Sequence, residues 1–151
     1  MRDTNAWSIR RPALRVGGIA ATLLAAMPAL CGPLSVSVTH ARSDAGSIRC
    51  GLFDRSDTWR QEDRAMRAVA APIHNATAHC DFGEVPEGDY AVAVFHAEHG
   101  ETQIEYGFLG KPKQGVGFSN NPSIAFGAPD FEAARIRIGR EPVNLEITLK
   151  Y

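Results

Sequence analysis

The 151-residue sequence contains few of the patterns that usually mark a chemical site. It has three cysteines, and none are spaced as Cys-x-x-Cys, the arrangement typical of structural zinc sites. It has no Gly-x-Ser-x-Gly segment, the nucleophile elbow of many hydrolases. Repeats and heptads are also absent. These absences give no support to a zinc finger, a hydrolase of that type or a repeat protein, although a catalytic triad assembled in space would leave no such trace.

The chain also lacks an excess of positive charge. It holds 16 Lys and Arg against 17 Asp and Glu. Four of the arginines and one acid fall in the first 41 residues, so twelve basic and sixteen acidic residues remain, a net charge of about −4. A nucleic-acid interface and docking on an anionic membrane both need a basic surface. We therefore expect no nucleic-acid partner.

The first 41 residues are similar to an export signal. Four arginines precede an uncharged apolar run over 16–30, and Thr39-His40-Ala41 places small residues where a signal peptidase reads. The pattern predicts a signal peptide over 1–41 and an exported domain, periplasmic or extracellular, over 42–151. The alternative is a retained membrane anchor, but glycines and prolines weaken this run as a spanning helix. We expect no transmembrane segment after cleavage.

Two cysteines, Cys50 and Cys80, remain after the predicted cleavage. Thiols in exported proteins tend to oxidise, so we predict a disulfide between them. It would close a loop of about 30 residues and contribute about 3–4 kcal/mol in the chain-entropy model. The alternative is a Cys/His metal site, because His79 adjoins Cys80, but two isolated cysteines favour the disulfide.

Short apolar segments dominate the rest of the chain. Alternation or β-rich composition predicts strands over 47–53, 76–85, 90–96, 103–109, 134–138 and 143–151. The segment 90–96 is almost wholly apolar, which indicates a central strand buried on both faces. Residues 139–142 are predicted to join the last two strands as a hairpin.

One modest helical pattern interrupts these strands. Thr58 and Gln61 have capping-box spacing, and Trp59, Met66 and Val69 would share one helical face. We predict one short helix or helical loop near 58–70. The whole pattern predicts an all-β fold: a single antiparallel β-sandwich, immunoglobulin-like or prealbumin-like.

Three motifs in order carry a family resemblance. They are Pro86-x-Gly-x-Tyr-Ala-Val-Ala-Val-Phe-His96, Phe108-Leu-Gly-x-Pro-Lys-x-Gly-x-Gly-Phe-Ser-Asn120 and Phe126-Gly-x-Pro-x-Phe-x-x-Ala134. Together they resemble the bacterial domain-of-unknown-function family 2141. The resemblance implies an exported antiparallel sandwich without an assigned activity. The first motif is also similar to transthyretin-like and carboxypeptidase-regulatory-like sandwiches, a likeness of fold that carries no function.

The sequence departs from the family pattern after His96. The family loop is rich in carboxylate and amide oxygens and resembles a calcium loop, which needs six to eight oxygen ligands. Here Ala97, His99 and Glu101 stand where Asp, Asn and Asn are expected, and Glu105 replaces the final Asp. The lost oxygen ligands argue against a calcium role.

The same loop is the densest polar cluster of residues 42–151. Its histidines and acids form a candidate divalent-metal site, and two imidazoles suit zinc better than calcium. The alternative is a solvated hairpin tip that needs polar residues. The candidate ligands are His96, Glu98, His99, Glu101 and Glu105.

A long Gly/Pro-rich loop over 110–130 is the second candidate site. Its amides and aromatic ring suit contacts with a sugar or a peptide. In the alternative interpretation the Asn side chains bond the backbone and the Phe fills the core. The candidate residues are Lys113, Phe118, Ser119, Asn120 and Asn121.

These observations favour a non-enzymatic binding or structural module of the bacterial cell envelope. We expect an envelope protein or a glycan as the partner, and no cofactor. The alternative is a divalent-metal-binding protein that uses the 96–105 loop. No pattern in the sequence indicates an enzyme.

Overall fold

The computed structural model describes residues 30–151, so most of the predicted signal peptide, residues 1–29, lies outside the described residues. The described chain is built from short strands with little helix. The strands are β1 (Cys31–Thr39), β2 (Ser47–Phe53), β3 (Arg67–Pro72), β4 (Ala78–Pro86), β5 (Gly88–Ala97), β6 (Val116–Phe118), β7 (Arg135–Ile138) and β8 (Val143–Thr148). One α-helix, α1 (Phe131–Ala134), and two 3-10 turns, Glu62–Arg64 and Phe108–Gly110, complete it.

The strands form two sheets. The smaller sheet has the order β4-β1-β8, and the larger has the order β3-β2-β5-β6, with β7 also paired to β5. The all-β prediction is confirmed. One pair, β1 with β8, is parallel, whereas the other paired strands are antiparallel.

A core of apolar side chains fills the space between the sheets. In β1, Leu34, Val36 and Val38 alternate with partly exposed residues and are 0–1% exposed. Side chains of β2, β4, β5 and β8 join the same cluster. The predicted disulfide is present: Cys50 of β2 bonds to Cys80 of β4, so it links one sheet to the other across this core.

A second apolar cluster lies on the outer face of the larger sheet. There the rings of Phe53, Phe118 and Phe131 pack against Trp59, and Phe95 belongs to the same cluster. The strand β5 contributes to both clusters, with Val92 and Val94 among others on the inner side and Phe95 on the outer side. This confirms that the apolar run 90–96 is a central strand buried on both faces.

The domain boundary predicted at residue 42 does not match the structure. Residues 31–39, assigned to the signal peptide, form the central strand of the smaller sheet, paired with β4 on one side and β8 on the other. The folded domain therefore includes a strand that cleavage after Ala41 would remove.

The helical loop predicted near 58–70 is present as the 3-10 turn Glu62–Arg64, although the chain from Arg67 onward pairs with β2 as an edge strand. Two smaller predictions are wrong. Residues 103–109 form a loop and a 3-10 turn in place of a strand. The segments β7 and β8 are not a hairpin, since β7 pairs with β5 in the larger sheet and β8 with β1 in the smaller.

Candidate functional site

The histidine predicted as a metal ligand, His96, is a buried structural residue with 1% of its surface exposed. Its Nε2 lies 2.8 Å from the carbonyl of Ala45 and its Nδ1 lies 2.8 Å from the hydroxyl of Tyr151. A carbonyl can only accept, so Nε2 carries a proton and donates to Ala45, and Nδ1 shares a hydrogen bond with the tyrosine hydroxyl. Both ring nitrogens are thus used within the fold.

Glu98, the next predicted ligand, is held by residues that follow β1. Its carboxylate accepts hydrogen bonds from the guanidinium of Arg42 and, at 2.8 Å, from the hydroxyl of Ser43. The bond with Arg42, and next that with Ser43, lower the pKa of this carboxyl to about 2. The group is therefore an anion committed to its own ion pair.

Two of the other predicted ligands, His99 and Glu101, pair with each other. The backbone N–H of His99 donates to Glu101 at 2.9 Å, and the Nδ1 of its ring lies 3.3 Å from the same carboxylate. Glu105 instead lies 3.2 Å from the ammonium of Lys113. Within residues 30–151, no three His, Cys, Asp or Glu side chains are grouped so that they could hold a metal ion. The structure therefore does not bring the five predicted ligands together at one point.

The predicted ligand loop is largely occupied with backbone contacts. Ser119 is fully buried, and its hydroxyl accepts from the N–H of Val92 at 2.9 Å. The side chain of Asn120 donates to the carbonyl of Arg135 at 2.8 Å. The Asn121 amide donates to Glu146 O and accepts from Thr148 N–H, so it covers the outer edge of β8 as a further strand would.

The remaining two loop candidates, Lys113 and Phe118, have different surroundings. Lys113 pairs with Glu105 at the surface. Phe118 belongs to the outer apolar cluster and is 4% exposed, but one edge of it also lines a cavity that the sequence analysis did not identify.

That cavity is a groove of about 440 Å³ on the outer face of the larger sheet. We call it the outer groove. Its floor is made by short side chains that the strand register places side by side: Gly51 faces Ala68 on β3 and Ala93 on β5, and Ala70 lies opposite Arg49. Because these residues carry one carbon or none beyond Cα, the sheet surface is low there.

Two loops raise the walls of the outer groove. The segment after β2 contributes Arg60, Glu62 and Asp63, and the segment after β5 contributes Thr102, Gln103 and Ile104. Neither Arg49 nor Arg60 forms an ion pair with an Asp or Glu of the described residues within 4 Å, and the Nε of Arg60 is buried without a hydrogen-bond partner there. The groove thus combines an apolar floor with unpaired cations.

A second cavity of about 390 Å³ adjoins the first. Arg60, Ile104 and Phe118 line both. Its outer wall carries the exposed rings of Tyr106 and Phe126. The two cavities together make an elongated depression with Arg60 where they meet.

The sequence signal for the outer groove was weak. The alternation of Arg67-Ala-Val-Ala-Ala-Pro72, which sets the alanines of β3 on one face, was read as part of a helix. The walls come from loops that show no periodicity. Only the assembled register reveals that four small residues are neighbours.

The comparisons with known proteins give a family and no activity. A family model described as "Uncharacterized protein conserved in bacteria (DUF2141)" matches residues 36–146, a span that includes the end of β1 and the outer groove. No curated protein matches the chain, and no solved structure matches it. Among residues 30–151, no helix is long and apolar enough to cross a membrane.

Proposed function

The chain belongs to the DUF2141 family of bacterial proteins, and from its geometry we propose that it is a non-enzymatic binding module whose ligand occupies the outer groove. The observation that carries this proposal is the groove itself, with its floor of small side chains and its two unpaired arginines. Ligand pockets of about 300–1,000 Å³, mostly apolar and with few polar groups, are typical binding sites for small molecules.

The groups that line the outer groove support binding over catalysis. The ionisable side chains there are Arg49, Arg60, Glu62 and Asp63, and the cysteine beneath the floor, Cys50, is in the disulfide. Among the described residues that line the groove there is no histidine, lysine, serine or free thiol, so acid–base or nucleophilic chemistry could fall only to the two carboxylates or to Thr102. Such a lining suits recognition of a ligand more than its transformation.

Export to the periplasm or the outside of the cell is part of the same proposal. The disulfide Cys50–Cys80 supports it, because disulfides persist in oxidising compartments. A signal peptidase that leaves the fold intact has to cut before β1, which begins at Cys31. The intact mass of the protein recovered from the periplasm or the medium tests both points: its recovery there with the leader removed supports export, a start at or before Cys31 keeps β1, and a start at Arg42 would show that β1 is removed.

Binding in the outer groove is tested by amide chemical shifts of the full chain. We would titrate it with octanoate, octan-1-ol, N-acetylglucosamine and the dipeptide alanyl-phenylalanine. We expect at least one probe to shift amides of β2, β3 and β5 that face the groove. Ala70→Phe, which fills the floor from an exposed position, should abolish the shifts, whereas Ala133→Phe, at an exposed alanine that lines neither cavity, should preserve them. Silence toward all four probes, or shifts confined elsewhere, would overturn the proposed function.

A further inference from the structure

We propose that Arg60 is an anchor for an oxyanion, and that the ligand of the outer groove is an amphipathic carboxylate whose apolar body lies on the floor of small side chains. This inference rests on the proposed function and names the chemical class of its ligand. Three observations support it: the backbone conformation of Arg60, the packing of its neighbour Trp59, and the unpaired guanidinium of Arg60.

The backbone of Arg60 is held in an unusual conformation. The N–H of Gln61 donates to the carbonyl of Thr58 at 3.0 Å, which closes a four-residue turn with Arg60 in its third position. The φ angle of Arg60 is +63°, in the left-handed region that glycine and asparagine normally occupy. Strained residues of this kind persist where the surrounding structure fixes them, and they cluster at binding sites.

The neighbour of Arg60 fixes the turn. Trp59 is 8% exposed, and its indole N–H donates to the carbonyl of Pro129 at 2.9 Å. Its ring packs against Phe53, Phe118 and Phe131, with centroids 5.3–5.9 Å apart. The tryptophan therefore positions the start of the Arg60 side chain before any ligand arrives, which is the preorganisation that binding sites require.

The guanidinium of Arg60 lacks a hydrogen-bond acceptor among the described residues. Its Nε is buried, and no residue of 30–151 supplies a hydrogen-bond partner for it. A buried polar group without a partner is costly, and the cost is greater for a charged group. A carboxylate can accept from two N–H groups of one guanidinium in the bidentate geometry that arginine favours. A ligand carboxylate in the groove would pair with the guanidinium and supply the counter-charge that residues 30–151 do not provide.

The other charges of the outer groove limit where the negative charge of the ligand can be. Arg49 adds a second unpaired cation from β2, whereas Glu62 and Asp63 line the same cavity and would repel further anionic groups. A polyanion is therefore disfavoured. A ligand with one anionic end and an uncharged body can pair with an arginine of the groove and place no second negative charge near Glu62 and Asp63.

The apolar body has a matching surface. The floor of Gly51, Ala68, Ala70 and Ala93 is bordered by aromatic and aliphatic side chains. Burial of apolar surface there would add to the affinity without any specific polar contact. Alkyl and aryl carboxylates share the required chemistry and differ only in the shape of this body.

The test compares each carboxylate with its neutral analogue on the full chain. We would measure by calorimetry the affinities for octanoate and octan-1-ol, for 4-phenylbutyrate and 4-phenylbutan-1-ol, and for octylamine. We expect at least one carboxylate to bind about tenfold or more tightly than its alcohol, a ratio in the range of one charge-assisted hydrogen bond. The two carboxylates distinguish an alkyl from an aryl body.

Two variants of Arg60 separate recognition from folding. Arg60→Gln should reduce carboxylate binding to the level of the alcohol. Arg60→Gly should do the same and unfold at a midpoint no lower than the parent, because glycine accepts positive φ and the unpaired Nε is removed. Arg140→Gln, an exposed arginine that lines neither cavity, should change nothing.

The outcomes distinguish this inference from the proposed function. Equal binding of carboxylate and alcohol, tighter binding of octylamine, or full carboxylate binding by Arg60→Gln would overturn the role of Arg60 and leave the groove as a binding site. Absence of binding by all five of these probes would overturn this inference, and the proposed function would fall with it only if N-acetylglucosamine and alanyl-phenylalanine also left the groove amides unshifted.

Discussion

Glu98 ties the segment after β1 to the end of β5. The hydrogen bonds that it accepts from Arg42 and then Ser43 lower the pKa of its carboxyl from 4.5 to about 2. A carboxyl whose pKa is depressed in the folded state stabilises the fold above its unfolded pKa, and this contribution is lost as the pH falls toward the folded value. Glu98 therefore contributes at neutral pH and progressively less between about pH 4.5 and pH 2.

We predict that Glu98→Gln lowers the unfolding midpoint at neutral pH and that its difference from the parent shrinks as the pH falls from about 4.5 to 2. Thermal melts over that pH range measure the effect. Glu105→Gln is the control, because its ion pair with Lys113 is exposed on both sides and should contribute little at any pH. A Glu98→Gln difference that stays constant over the whole range would contradict the pKa argument.

Ser119 forms two hydrogen bonds with the backbone of β5, as a residue of a neighbouring strand would. Its N–H donates to Val92 O and its hydroxyl accepts from Val92 N–H, each at 2.9 Å. We predict that Ser119→Ala lowers the free energy of unfolding by about 1–3 kcal/mol, because a buried N–H loses its acceptor. Urea titration measures it, and Ser123→Ala, at an exposed serine, is the control. If Ser119→Ala left stability unchanged and abolished binding of the groove probes, Ser119 would be a recognition residue after all.

At the scale of elements, the disulfide joins two strands that belong to different sheets. Replacement of both Cys50 and Cys80 by alanine should lower the free energy of unfolding by about 3–4 kcal/mol, since the unfolded chain regains the freedom of a loop of about 30 residues. Urea titration of the double variant measures the loss, and reduction of the parent protein should reproduce it. Two titratable thiols in the oxidised protein at these positions would contradict the disulfide.

Strands with strong patterns could be predicted from the sequence. The alternation in 47–53 and 76–85 and the apolar run 90–96 correspond to β2, β4 and β5, because one or both faces of these strands are buried. The pattern of β3 was misread because alanine favours helices and packing decides its state. β1 was missed because its apolar start continues a run that resembles a signal peptide, although Leu34-Ser-Val-Ser-Val-Thr39 alternates.

The candidate sites were harder to predict than the strands. The disulfide between Cys50 and Cys80 is predicted correctly, although the even number of cysteines depended on removal of Cys31, which belongs to β1. The metal and loop candidates follow from composition alone, and most of their side chains bond to neighbours in the fold. The outer groove depends on cross-strand register and on loop positions, which the linear order of residues does not contain. Nothing in the sequence around Arg60 indicates its positive φ or its unpaired Nε.

For the whole molecule, β1 decides whether the smaller sheet exists. Without it, β4 and β8 would have no neighbour in that sheet. The side chains of Leu34, Val36 and Val38 would also be lost from the core, at about 1.5–3 kcal/mol each. That total is comparable with the 5–15 kcal/mol by which typical domains are stable.

We therefore predict that residues 42–151 alone show no cooperative unfolding transition, whereas the chain from residue 30 onward does. Circular dichroism melts of the two chains measure the difference. The chain from residue 30 onward should also unfold at the same midpoint as the full chain. A cooperative transition of residues 42–151 at that midpoint would contradict the central role of β1.

The parallel pairing of β1 with β8 also has a consequence for biosynthesis. The first strand of the described chain pairs with the last one, with Leu34 opposite Val143 and Thr39 opposite Thr148. A ribosome makes these segments more than a hundred residues apart, and contacts so distant in sequence form slowly. The smaller sheet can close only after β8 has been synthesised. We expect the smaller sheet of the nascent chain to stay open until β8 is released, a state suited to the proposed export through a translocon before folding.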